Sequence, residues 1–175
     1  RHRIIDKENK GFSKKCKAHI DSFDGVDIVF LFYTRLVTEE LFDSYPLVNF
    51  HPSILPAYKG FSSIKRALKD GVKFIGTTMH SVSIDIDGGK ILAQSCYPLT
   101  GGEDEEYLEK ISFMHKVYFM CLFEELLIAN KVKIENNIIS FEIESKSIYG
   151  VFNPSINSKK LIEELKALYE KNMTL

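Results

Sequence analysis

Asn49 and His51 stand two residues apart in Leu47-Val-Asn-Phe-His-Pro52, where an apolar run meets a proline. In a strand, residues i and i+2 project from the same face, so a carboxamide and an imidazole would enter one space at the strand's end. An amide donor beside a titratable ring suits a developing oxyanion and a moving proton. A satisfied core histidine beside a turn asparagine has the same spacing, and the spacing alone leaves both readings open. A second candidate is Asp85-Ile-Asp87-Gly-Gly89, two carboxylates with glycines that permit positive φ and close backbone approach. A solvated turn fits that loop as well. No further carboxylates flank it at calcium-loop spacing, so no metal is expected. Tyr33, Thr34 and Arg35 form a third candidate, just past an apolar strand. His80, in Thr77-Thr-Met-His-Ser, reads as a structural histidine.

The elements that must position these residues follow from periodicity. Residues 25–32 are a short, nearly continuous apolar run, as in a strand buried on both faces. Residues 47–50, 74–84 and 90–97 read as further strands, and 132–143 as a hairpin around Asn136-Asn137. Helices are expected over 14–23, over 38–43 with Thr38 as cap, and over 62–69. The longest, 103–129, carries Tyr107, Leu108, Ile111, Met114, Tyr118, Leu122, Leu126 and Ala129 at helical spacing. A final amphipathic helix over 158–171 turns Leu161, Leu165 and Leu168 inward. Strands alternating with helices argue for an α/β fold, a Rossmann-like, mainly parallel twisted sheet flanked by helices. In such sheets ligands bind beyond the carboxyl ends of the strands, which is where Asn49, His51 and Arg35 fall.

Composition narrows the classes. The 175 residues suit one core; 45% are hydrophobic and 27% charged, as in an ordinary globular chain. A formal net charge of −1 gives no reason to expect nucleic acid or an anionic membrane as partner. Cys16, Cys96 and Cys121 have no metal-ligand spacing and are expected to be buried thiols in a reducing compartment. No apolar run reaches membrane-spanning length and no signal peptide is read, so the expected location is cytoplasmic. Oligomeric state is not legible.

The run Asn49-Phe-His-Pro-Ser-Ile-Leu-Pro-Ala-Tyr-Lys-Gly60 closely resembles the active-site signature of the folate-dependent formyltransferases. Within that family the pattern is most similar to the branch that formylates glycinamide ribonucleotide in purine biosynthesis. The similarity continues through Ala67–Val72, Gly76–Val82 and Asp87–Gln94, and the interval from Asn49 to Asp87 is the family's 38 residues (87 − 49). Upstream, the segment from Phe32 through Arg35 to Thr38 resembles part of the family's folate site. The resemblance implies the formyltransferase fold and a catalytic trio of Asn49, His51 and Asp87. It also implies a co-substrate, 10-formyltetrahydrofolate, lined by Arg35, Leu36, Val37, Ser83, Ile84, Asp85 and Asp87. The other expected partner is a small-molecule amine. Related hydrolases usually carry a second histidine where this chain has Pro52, and transfer-RNA formyltransferases append a further domain.

Three departures bear on the acceptor. The family's amino-terminal glycine-rich, phosphate-gripping loop is not found, as if the first strands were lacking or preceded Arg1. Met114 stands where the glycinamide ribonucleotide enzymes carry a ribose-binding glutamate. The tail is longer than usual, so the division expected is a catalytic domain over 1–145 and an extension over 146–175. The alternatives that remain open are a sugar-nucleotide or other small-amine N-formyltransferase, and a folate-binding module without turnover.

Overall fold

The computed structural model describes residues 11–32, 35–143, 152–153 and 156–173. Tyr33 and Thr34, two of the candidates above, lie outside the described residues. Five strands form the main sheet in the order β1-β2-β4-β5-β9: β1 (Val29–Leu31), β2 (Leu47–His51), β4 (Thr78–Ser81), β5 (Ile91–Ser95) and β9 (Phe152–Asn153). The sheet is mixed. β1 and β2 run parallel, while β4, β5 and β9 each join antiparallel to the strand before them in that order.

The run expected as one strand over 74–84 is two strands in two sheets. Gly76 is the break: a Cβ there would sit 1.9 Å from the Ser95 carbonyl oxygen, so only glycine lets the two backbones cross this closely. Before the break, β3 (Phe74–Ile75) pairs with β6 (Tyr97–Pro98), the detached end of the run expected over 90–97. After it, β4 enters the main sheet and stops at Ser81, short of the expected Ile84. The hairpin is as read, with β7 (Val132–Glu135) and β8 (Ile138–Phe141) joined through Asn136 and Asn137. Both asparagines have positive φ, as a two-residue hairpin turn requires.

The short helices are α1 (Phe12–Ile20), α2 (Glu39–Phe42) and α3 (Ser63–Lys69). Thr38 precedes α2, but its hydroxyl bonds the Glu40 carboxylate and makes no cap to the helix backbone. The long helix α4 (Glu105–Ile128) does have a side-chain cap: Asp104 accepts the Tyr107 N–H at 2.8 Å. Its Phe119, Leu122, Phe123 and Leu126 meet Val48, Phe50, Met79, Leu92 and Ala93 of the sheet in the principal core. Phe119 and Phe123 were not among the inward positions expected, and both are buried.

β9 and α5 (Lys159–Met173) complete the fold. The turn before α5 is clasped by α4. Ile156 N donates to the Tyr118 hydroxyl at 2.7 Å, and Asn157 N to the Glu125 carboxylate at 2.9 Å. Leu161 and Leu165 pack on the core as expected, but Leu168 is exposed. The cysteines are free and only partly buried, a correction to their expected enclosure. Among the described residues no helix is long and apolar enough to cross a membrane.

Candidate functional site

Asn49 and His51 close β2, and Asp87 arrives from the loop after β4. His51 Nδ1 lies 3.1 Å from Asp87 Oδ2, so the structure brings together two residues 36 positions apart (87 − 51). Asn49 reaches the pair through a residue that sequence reasoning set aside. His80 lies directly across the ladder from Asn49. Its Nε2 is 3.3 Å from Asn49 Nδ2 and 3.5 Å from Asp87 Oδ1. The missed signal was available: two strands whose polar residues fall opposite one another place them on one face.

The loop carrying Asp87 is shaped by its neighbours. Asp87 itself takes positive φ, at 48°, a conformation that aspartate tolerates better than most residues. The expectation that Gly88 and Gly89 supply positive φ is therefore corrected; what they supply is space. A Cβ on Gly89 would stand 1.7 Å from the Ser81 carbonyl oxygen, and one on Gly88 would stand 2.6 Å from Asp85 Cβ.

The Pro52–Gly60 loop closes over the other side. His51 Nε2 faces the Tyr58 carbonyl at 2.8 Å, and Gly60 N donates to Asp87 Oδ2 at 2.8 Å. Thr78 and Gln94, also missed, hold the loop from beneath. The Thr78 hydroxyl donates to the Ser53 carbonyl at 2.7 Å and accepts from Leu55 N at 3.0 Å. Gln94 Nε2 donates to the Leu55 carbonyl at 2.9 Å.

Electrostatics follow from these contacts. Burial pushes His51 below the ordinary imidazole range, against the opposing pull of the Tyr58 carbonyl and the Asp87 carboxylate. Both ring nitrogens face acceptors, so the imidazolium would find two partners already in place. Burial alone would raise Asp87. His80 and the Gly60 N–H, with His51 beside them, outweigh it and hold the carboxyl at about 2. The site thus keeps an anion beside a ring that is neutral but prepared for a proton.

The residues expected to line a folate pocket differ in exposure. Leu36, Ile84 and Asp85 are exposed, Val37 and Ser83 partly buried, and Arg35 stacks over the Phe12 ring. Ser83 Oγ donates to the Asp85 carbonyl at 3.3 Å. Among the described residues no group of three or more His, Cys, Asp or Glu side chains is arranged to hold a metal ion.

The formyl transferase family model matches residues 6–119. The chloroplastic phosphoribosylglycinamide formyltransferase of Arabidopsis thaliana is 38% identical over 104 residues, covering 54% of this chain and 36% of that protein. The formyltetrahydrofolate deformylase of Bacillus subtilis is 34% identical over 100 residues, covering 56% of this chain and 33% of that protein. The chain therefore aligns with about a third of each of these relatives. Among solved structures, glycinamide ribonucleotide transformylase 1 of Symbiobacterium toebii superposes with a TM-score of 0.64 at 29% identity. That match covers 77% of this chain and 65% of the other.

Proposed function

Because the chain belongs to the formyl transferase family, we propose that it moves the formyl group of 10-formyltetrahydrofolate to a primary amine, with glycinamide ribonucleotide as the first candidate acceptor. The observation that carries this reading is the convergence of Asn49, His51 and Asp87 at the end of β2. The amine nitrogen attacks the formyl carbon and the carbonyl oxygen becomes an oxyanion. An Asn49 N–H is the donor that stabilises that oxyanion. His51 takes up a proton or passes one to the departing folate nitrogen, while the attacking nitrogen loses its own. Asp87 supports the imidazolium that forms and orients a proton-carrying water. Passage of a proton through His51 Nε2 requires that its contact with the Tyr58 carbonyl be exchanged for the ligand. The pterin is assigned to the surface formed by Arg35, Leu36, Val37 and the Ser83–Asp87 loop.

A second reading concerns only the acceptor. Met114 is buried on α4, and its thioether gives a ribose no strong hydrogen-bond acceptor. That favours another small amine, such as an amino-sugar nucleotide. Formyl transfer to glycinamide ribonucleotide, to amino-sugar nucleotides and to water, measured in parallel, separates the possibilities. Asn49→Ala and Asp87→Ala are each expected to lower turnover at least about 100-fold. Near-normal transfer in either variant removes the assignment. Folate binding without transfer to any acceptor would make the chain a binding module.

A further inference from the structure

His80 is almost wholly buried, and both of its ring nitrogens face polar groups. Nδ1 lies 2.8 Å from the Ser81 carbonyl oxygen. A carbonyl can only accept, so Nδ1 carries a proton. In the neutral ring Nε2 then offers a lone pair, and the group placed against it is the Asn49 carboxamide at 3.3 Å. The ladder holds the two side chains opposite one another. An irregularity between Met79 and His80, where β5 contributes the extra residue Leu92, sets the His80 backbone locally.

We propose that His80, neutral and protonated at Nδ1, is a positioning residue that fixes which end of the Asn49 carboxamide serves the reaction. Its Nε2 accepts one Asn49 N–H, which holds the amide nitrogen in place and leaves the second N–H for the ligand oxygen. This role rests on the formyl-transfer reading given above. The other group near Nε2, Asp87 Oδ1, stands farther off at 3.5 Å.

NMR and variant kinetics on the 175-residue chain test this. Nitrogen NMR of the histidine rings is expected to show His80 protonated at Nδ1 near neutral pH; a neutral ring protonated at Nε2 overturns the proposal. In kinetics, His80→Leu removes the acceptor, whereas His80→Gln returns an oxygen near the place of Nε2. His80→Leu is expected to lower kcat about 100-fold with the folate KM within about threefold, and His80→Gln to recover to within about tenfold of wild type. Unchanged kcat in His80→Leu, or equal loss in both variants while both unfold at the wild-type temperature, overturns the role. If wild type transfers no formyl group, the functional reading fails separately. The Asn49 amide resonances then decide on positioning: a shift in His80→Leu supports it and an unmoved signal overturns it.

Discussion

The Asp87 carboxylate accepts the Gly60 N–H at 2.8 Å, so one acidic side chain ties the two loops that carry the site to each other. The same oxygen faces His51. Asp87 therefore has a structural duty beside the chemical one proposed for it, and the structural one has its own pH signature.

The structural duty appears in acid. The folded carboxyl sits at about 2, below its ordinary 3.8. A depressed carboxyl stabilises the fold above its ordinary value, and that stabilisation fades as pH falls through the folded one. Between about pH 5 and about pH 2, wild type is expected to lose about 2 kcal/mol more than Asp87→Asn. Urea unfolding of both proteins across that window measures the difference.

His115 gives a second, higher window. It lies buried on α4, with Nδ1 2.8 Å from Ser95 Oγ, and burial lowers its pKa to about 4 from 6.5. The neutral ring costs the fold nothing above about pH 6.5. As pH falls toward about 4, the unfolded chain takes up a proton that the folded one refuses, and stability drops by about 3 kcal/mol. His115→Gln is expected to flatten that part of the curve. Unfolding free energies at about pH 7.5 and about pH 4 provide the check.

Gly89→Ala drives a methyl to within 1.7 Å of the Ser81 carbonyl oxygen, a backbone atom that cannot swing aside. The loop or the end of β4 must move. A loss of about 3 kcal/mol is expected from urea denaturation, with displacement of Asp87 following from the same shift.

Thr78→Val tests the floor of the Pro52–Gly60 loop. The hydroxyl is fully buried and serves the Ser53 carbonyl, Leu55 N and Gln94 Nε2. Leaving those partners unsatisfied is expected to cost about 1–3 kcal/mol. Amide exchange should accelerate in residues 53–60 while β5 stays protected.

Much of the fold was readable because periodicity speaks for one element at a time. The Asn136-Asn137 hairpin, the long helix and the strand ending at His51 needed only local rules. The break at Gly76 did not announce itself, because its cause is the Ser95 carbonyl, 19 residues away (95 − 76). His80 was passed over for the same kind of reason: alone it is a histidine in a strand, and its meaning comes from the register that sets it opposite Asn49. Thr78 and Gln94 are polar residues in a buried ladder, and what they support is visible only once the loop is folded over them. The loop glycines were read as sources of unusual φ, whereas the unusual φ belongs to Asp87 and the glycines answer to crowding.

The two-residue strand β9 has a consequence out of proportion to its length. By pairing Phe152 and Asn153 with Ser95 and Gln94, it occupies the outer edge of β5. A chain shortened to end before Phe152 would leave those backbone groups open, next to the apolar Ile91-Leu-Ala93 run. An uncovered edge of that kind recruits the same edge of another molecule. Shortened forms are thus expected to be lost first to self-association, before the candidate site at the end of β2 is disturbed.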